Sequence, residues 1–192
     1  MTTTKKLSEV LGTTQEGYML DGSNYIDEFP VLINDSGRPT SPVVDDFTIA
    51  GMTLRSEFWS EGDFQGYIWE LNHFYKSGGN PLIHARVFPE NDLAGAFEFE
   101  YQFIINSIDV PTGVIYTRAG ATITLNGSFN AGDYSAGKGV YVSTTIDGTA
   151  LDLKSGEMLK GNFKRNNSAY NDDIVIEEIG LHLPIGKQGA KF

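Results

Sequence analysis

Three histidines come first among the residues of this chain that could do chemistry, because imidazole binds metals and transfers protons near neutral pH. They are His73, His84 and His182. No two of them form an H-x-H or H-E-x-x-H pair, and each lies in a predicted strand. A metal site would require them to converge in space, so a structural role is the better prediction for all three.

Two groups of carboxylates could also bind a cation or catalyse. The run DDIVIEE at residues 172–178 lacks the alternating Asp/Asn loop, glycine and terminal glutamate of a calcium site, so we interpret it as a solvated edge. Glu98 and Glu100 lie two residues apart on one face of a predicted strand. Glycosidase carboxylates need a defined separation across a cleft, and strand alternation alone explains this spacing.

Other catalytic patterns are missing from the sequence. There is no cysteine to act as a nucleophile and no G-x-S-x-G elbow. Gly156 and Gly161 have the spacing of a phosphate-binding loop, but Asn162 and Phe163 stand where Lys and Ser/Thr would be needed. We therefore predict a protein that is not an enzyme, with no catalytic residues, no metal and no cofactor.

The elements that must position any site are strands, and residues 81–106 show this best. Two extended runs flank the turn-rich segment PENDLAG. In the second run aromatic and aliphatic residues take alternate positions with mostly polar residues between them, which places one set on each face of a strand. The first set is Phe97, Phe99, Tyr101, Phe103 and Ile105. An aromatic face of this length needs a second sheet to cover it, which predicts a β-sandwich.

The rest of the chain after Asp46 continues the pattern of short strands and turns. Predicted extended runs separated by Gly, Asn and Asp turns lie at residues 47–54, 66–75, 110–129, 138–146, 149–153, 157–165 and 172–185. Together with the central pair they indicate a fold of roughly eight strands, since short neighbouring runs can belong to one strand, and they leave no long helix. This is typical of an all-β sandwich or barrel, and we predict one domain over residues 46–192.

Residues 1–45 differ, because apolar side chains are scattered there without a sustained period. We predict an extended N-terminal arm that lies on another surface, its own domain's or a partner's, and we expect a partner. Its candidate binding residues are Leu7, Val10, Leu11, Tyr18, Leu20, Tyr25 and Phe29.

Charge limits the partners of this 192-residue chain. Its 25 acidic residues against 14 Lys and Arg give a net charge of −11, which repels polyanions, so we expect no direct contact with nucleic acid. No apolar run approaches the roughly 18 residues that cross a membrane, and the start lacks the apolar region of a signal peptide. We expect a soluble protein that has no membrane partner and is not exported by that route.

Two stretches resemble a known family. The run LIHARVFPENDLAGAFEFEYQF resembles a segment of single jelly-roll virion proteins of tailed bacteriophages, which pair a His-containing strand with a strand carrying a Glu-Tyr step, here Glu100-Tyr101. The C-terminal run from Met158 is similar to the ending of that family. There a basic strand precedes a loop with a tyrosine, and the final strand carries a His followed by a Gly, as do Lys164, Arg165, Tyr170, His182 and Gly189 here.

The resemblance covers roughly residues 80 to 190, and two positions depart from the family pattern. Ala85 follows the first His where an aromatic is usual, and Gly186 stands where an acidic residue is common. The resemblance implies a jelly roll that decorates a capsid as a cement protein or belongs to a head or tail fibre. It also implies a homotrimer whose partners are other virion proteins, a major capsid or a neck or tail protein, and a location in the virion after synthesis in the host cytoplasm.

A second hypothesis is a receptor- or glycan-binding module of a fibre, because jelly rolls often bind sugars. The candidate stacking residues are Trp59, which we expect to be exposed because it lies beside an acidic loop, and Tyr134. Trp69 alternates with Tyr67 and Leu71, so we predict that it belongs to the core.

Overall fold

A computed structural model describes residues 25–28, 31–33, 41–109, 111–166 and 168–185 of the chain. These residues form eleven β-strands, and they hold no helix long and apolar enough to span a membrane. The strands are β1 (Tyr25–Glu28), β2 (Val31–Ile33), β3 (Val43–Ile49), β4 (Met52–Trp59), β5 (Phe64–Glu70), β6 (Leu82–Pro89), β7 (Gly95–Asp109), β8 (Val114–Phe129), β9 (Val140–Thr145), β10 (Met158–Arg165) and β11 (Ile174–Pro184).

The strands make two antiparallel sheets. The six-stranded sheet has the order β3-β4-β11-β6-β9, with β1 on β11, and the five-stranded sheet has the order β2-β5-β10-β7-β8. From β4 to β11 the chain changes sheet at every connection except the β7–β8 hairpin. That order is the jelly roll, two Greek keys that form two four-stranded sheets, and it confirms the predicted all-β jelly-roll fold. Strands β1, β2 and β3 extend it.

The alternation in β7 builds the core as predicted. Its five alternate apolar residues are at most 4% exposed, whereas Gln102 and Ile104 between them face solvent. The rings of β7 meet rings from the neighbouring strands, with Phe99 stacked on Phe163 at 5.1 Å and Tyr101 edge-on to Trp69 at 4.7 Å between centroids. Such pairs add to the free energy gained by burial, so this strand holds the sandwich together.

One predicted strand, residues 149–153, is absent from the described sheets. The segment turns instead, because the Asp147 carboxylate accepts a hydrogen bond from Ala150 N at 2.9 Å and its carbonyl accepts one from Leu151 N at 3.1 Å. Asp152 has a φ of 46°, a left-handed conformation that a strand does not allow. An aspartate that bonds its own following backbone is a turn signal that outweighs the alternating leucines.

Part of the predicted arm belongs to the sandwich. Residues 25–28 pair with the end of β11, where Tyr25 lies opposite Pro184, and residues 31–33 pair with β5. The other candidate arm residues, Leu7, Val10, Leu11, Tyr18, Leu20 and Phe29, lie outside the described residues. Attachment of the arm to a partner stays a prediction, and the strands show that the chain's own sheets are a surface on which it lies.

The β3–β4 hairpin folds over the six-stranded sheet. The ring of Phe47 lies 6.0 Å from Phe58, 6.1 Å from Phe88 and 6.1 Å from Tyr134 between centroids. Phe88 is on β6, two strands away from β4 in the sheet, so Phe47 reaches it only if the hairpin crosses the outer face. The Tyr134 hydroxyl donates to the Thr48 carbonyl at 2.8 Å and fastens the hairpin to the β8–β9 loop.

Two arginines close the ends of the sandwich. Arg165 is fully buried and donates to the carbonyls of Trp59 and Tyr170, the latter at 2.6 Å, which joins the β4–β5 and β10–β11 loops. Burial lowers the pKa of Arg165, and the carboxylates of Asp173 and Glu61 act in the opposite direction. At the other end Arg118 binds the buried Glu157 at 2.8 Å and holds the β9–β10 loop.

We expect Phe99→Ala to cost about 3–5 kcal/mol of unfolding free energy, because Phe99 is fully buried among other rings. Gln102→Ala, on the exposed face of the same strand, should change it by no more than about 0.5 kcal/mol. Urea denaturation of both variants measures the two costs. A larger loss for Gln102→Ala would contradict the strand register.

Candidate functional site

The first predicted stacking residue, Trp59, lies in the core, so the prediction that it is exposed is wrong. It has no exposed surface, and its ring packs edge-on against Phe99 at 6.4 Å and Phe163 at 5.9 Å. Its indole N–H donates to Glu57 Oε2 at 3.3 Å. Trp59 is the last residue of β4 and points inward, and the acidic loop that suggested exposure starts only after it. A sugar cannot reach this ring.

The second predicted stacking residue, Tyr134, is half-buried in the β8–β9 loop. Its ring packs on Phe47 and its hydroxyl bonds the Thr48 carbonyl, so both parts of the side chain hold the β3–β4 hairpin. Trp69 is fully buried, as predicted.

The histidines partly converge. His84 on β6 and His182 on β11 lie with ring centroids 4.3 Å apart, and both are buried. His73 is exposed in the β5–β6 connection, so the prediction that it lies in a strand is wrong because β5 ends at Glu70. Among the described residues no group of three or more His, Asp or Glu side chains could hold a metal ion.

The acidic run 172–178 does not form a single cluster. Asp172 accepts a hydrogen bond from the Asn91 side chain at 2.5 Å, and Asp173 accepts one from the Ser60 hydroxyl at 2.6 Å, so both fasten loops at one end of the sandwich. Glu177 is exposed on β11, and Glu178 turns towards the histidines.

An aromatic residue that the sequence analysis did not single out, Tyr141, lies beside those histidines. Its ring stacks on His84 at 5.2 Å with an angle of 26° between planes, and its hydroxyl is 3.5 Å from His182 Nε2. The residue keeps 49% of its surface exposed. One face of the ring therefore rests on His84. Tyr141 points outward because Val142, its neighbour on β9, points into the core.

Strand pairing surrounds Tyr141 with charged groups. Arg86 stands opposite Tyr141 on β6, and Glu178 stands opposite Arg86 on β11. The carboxylate of Glu178 contacts Arg86 Nε at 3.1 Å through one oxygen and His84 Nε2 at 3.4 Å through the other. We call these five residues, Tyr141, His84, His182, Arg86 and Glu178, the Tyr141 platform.

A glycine makes room for the platform. Gly180 lies opposite His84 in the β6–β11 pairing, and a Cβ placed on it would lie 2.6 Å from His84 Cε1. Any other residue would push the imidazole away from the sheet and tilt the tyrosine that stacks on it. The β-bulge between Ile176 and Glu178 sets this register, a common way for a sheet to re-aim side chains.

Two depressions adjoin the platform. A groove of about 210 Å³ is lined by Arg86, Tyr141 and Glu177. A wider cleft of about 730 Å³ is lined by Arg55, Glu57, Tyr67, Glu177 and Glu178 among others. The cleft arises because β4 pairs only with residues 174–176 of β11 and β1 only with residues 181–184, so the described strands leave a gap between them. Glu177 belongs to both depressions and connects them.

Burial raises the pKa of two groups at the cleft, Glu57 and Tyr67. Burial raises the pKa of Glu57, and the hydrogen bond from Trp59 acts in the opposite direction. Burial also raises the pKa of Tyr67, and the nearby Glu57 carboxylate adds to that increase. The carboxyl group of Glu57, whose ionised form is disfavoured by burial, therefore lines the cleft.

No protein-family model matches the sequence. A curated relative, the apolipophorins of Locusta migratoria, is 30% identical over 180 residues, covering 81% of this chain and 5% of that protein. The chain thus spans about a twentieth of the length of the curated relative it matches.

Among solved structures, the chain is similar to a carbohydrate-binding module from Cellvibrio mixtus lichenase 5A in complex with cellotriose. The identity is 12% and the TM-score 0.41, with 82% of this chain and 96% of that chain covered. It is also similar to a family 29 carbohydrate-binding module from Piromyces equi, at 11% identity and a TM-score of 0.34, with 89% and 96% covered.

We expect Glu57→Gln to weaken the pH dependence of stability. A carboxyl group whose pKa is raised by folding stabilises the fold below its unfolded pKa and loses that contribution as the pH rises through its folded pKa. Glutamine has no charge to bury and still accepts from Trp59. Thermal melting between about pH 4 and 7 should show a smaller loss of stability for the variant than for the wild type. The control Glu177→Gln changes an exposed residue and should show the same change of melting temperature with pH as the wild type. If Glu57→Gln also showed that change, the prediction would be contradicted.

Proposed function

We propose that the protein is a non-catalytic carbohydrate-binding module whose ligand lies on the outer face of the six-stranded sheet. The observation that supports this proposal is the Tyr141 platform, a half-exposed tyrosine that stacks on a buried imidazole and stands opposite a guanidinium–carboxylate pair. A pyranose has an apolar face that packs on such a ring and hydroxyls at its edge that bond to charged groups. Binding sites commonly combine an apolar surface with a few placed polar groups in this way.

Preorganisation strengthens the proposal. Tyr141 is fixed on one face by His84 and at its hydroxyl by His182, so binding would immobilise no rotamer of this side chain. A ring that is already ordered spares the ligand that entropic cost. Arg86 keeps 55% of its side chain exposed while its Nε is held by Glu178, so its outer N–H groups can donate to hydroxyls.

Catalysis is not part of this function. The one carboxylate of the platform, Glu178, has one oxygen on Arg86 and the other on His84, which is the arrangement of a positioning group. A glycosidase needs two carboxylates placed on either side of a scissile bond.

The adjoining depressions suggest an oligosaccharide. A chain of sugars that leaves Tyr141 along the groove passes Glu177 and meets the wider cleft with Arg55 at its rim. The ligand class of this proposal is therefore a neutral or basic oligosaccharide, because the protein has a net charge of −11 and would repel a polyanionic glycan.

We expect Tyr141→Ala to lower the affinity for oligosaccharides by about tenfold or more, because the ring would supply the main contact. A glycan array identifies the ligand, and isothermal titration measures its affinity for the wild type and the variant. Tyr116→Ala removes a somewhat more exposed tyrosine, 57% exposed, on the other sheet and should bind like the wild type. An array without binding, or equal losses in both variants, would refute the proposal.

A second candidate is the virion role, a capsid decoration protein that forms a trimer and is anchored by its arm. The observation that favours it is the apolar tip of the β7–β8 hairpin, which extends past Asn106, where the pairing of β7 with β10 ends. Four residues of this tip are 44–59% exposed: Ile108, Val114, Ile115 and Tyr116. Clustered apolar side chains in solvent favour a protein partner, here another virion protein.

We expect Ile115→Asp to weaken binding to capsids of a tailed phage prepared without their decoration protein, because it places a charge in that apolar contact. Co-sedimentation with such capsids measures the occupancy. Asn162→Asp adds the same charge at an exposed position of β10 and should leave occupancy unchanged. If the wild type does not sediment with capsids, the virion role is wrong.

A further inference from the structure

We propose that the free edge of β8 pairs with β8 of a second copy of this chain, antiparallel about a two-fold axis. Strand β8 ends the five-stranded sheet, and within the described residues only β7 pairs with it. It is the longest strand, with 16 residues, and contains neither proline nor lysine, two residues that commonly protect an edge from pairing. A bulge interrupts it between Ala119 and Thr122, so the regular part of the edge that could pair is residues 122–129. Its unpaired N–H and C=O groups are a template for another strand.

The low charge of the β8 edge favours a second copy of this chain as its partner. Each chain carries a net charge of −11, so two copies repel each other unless they meet through a surface of low charge. Strands β8 and β9 are the adjacent edges of the two sheets, with 16 and 6 residues, and Arg118 is the one charged residue in them. The Arg118 charge is matched by Glu157 within the same chain. This flank is therefore neutral, whereas 20% of the whole chain is charged.

The side chains of β8 suit pairing with themselves. On the outer face, alternate exposed residues are short and polar: Thr122, Thr124, Asn126 and Ser128. A two-fold axis at Leu125, in the middle of the regular stretch, places Thr122 opposite Ser128 and Thr124 opposite Asn126 of the copy. Short polar pairs of this kind on antiparallel strands stabilise a sheet by packing and hydrogen bonding.

The pairing has two consequences. It closes at two copies, so the trimer that the resemblance implies would need a different surface. Only β8 pairs in such a dimer, so the side chains of the Tyr141 platform, on the outer face of the six-stranded sheet, stay outside the pairing. A dimer would carry two such platforms, and a surface with many ligands would then bind more tightly than one platform does.

Analytical ultracentrifugation of the full chain tests the proposal. We expect the wild type to sediment at twice the 21.1 kDa of one chain. The double variant Thr124→Lys/Asn126→Lys places like charges opposite each other at the axis and should weaken the dimer at least about tenfold. The matched control Ala96→Lys/Asn162→Lys adds two lysines at exposed positions on the same face but on the inner strands β7 and β10, where they do not pair with each other, and should stay dimeric.

A charge-complementation step distinguishes strand pairing from a general loss of folding. The variant Thr124→Glu/Asn126→Glu should also be monomeric, and an equal mixture of the lysine and glutamate variants should restore a dimer. A monomeric wild type, a lysine variant that dimerises as well as the control, or a mixture that stays monomeric would overturn the proposal. Hydrogen exchange identifies one more result that would overturn the proposal. A monomer whose β8 amides are protected from exchange would mean that the chain's own N-terminal residues pair with this edge.

Discussion

The aromatic row on the inner face of β7 is the packing on which the rest of the structure depends. Phe99 stacks on Phe163 of β10, and Tyr101 meets Trp69 of β5 edge-on, so one strand joins the rings of its own sheet. Trp59 of β4 packs on Phe99 from the facing sheet. Burial of large rings supplies most of the hydrophobic driving force in a domain of this size. The strands at the edges attach to a core that is already specified.

The same packing explains why the candidate site depends on a single tyrosine. Both tryptophans are fully buried, so the rings best suited to bind a sugar serve the core instead. Tyr141 is held differently, because its outward position rests on a buried imidazole that the neighbouring strand supplies. An outer face of a sheet can offer a rigid aromatic surface only when such a support fixes the ring, and here His84 and His182 provide it.

Sequence reasoning succeeded where side-chain period decides the structure and failed where strand pairing does. The alternation from Phe97 to Ile105 predicts the buried face of β7 residue by residue. It could not predict that His84 meets His182, because 98 positions separate them and only the β6–β11 pairing joins them. Strands β1 and β2 escaped notice for a related reason, since their short segments show no period and are ordered by backbone pairing. Trp59 was misjudged because a polar loop follows it directly.

The β-bulge in β11 links these features. Before the bulge Ile176 pairs with Val87, and after it Glu178 pairs with Arg86, so one residue is inserted in the ladder. If β11 continued in regular register with no bulge, Glu177 would pair with Arg86 and each later side chain of β11 would turn to the opposite face. Glu178 would then point into the core instead of towards Arg86. The bulge also lies where β4 stops pairing with β11, so the cleft opens at the same point. One inserted residue therefore places the charged pair beside Tyr141, clears the position of Gly180 for His84, and separates the strands that border the cleft.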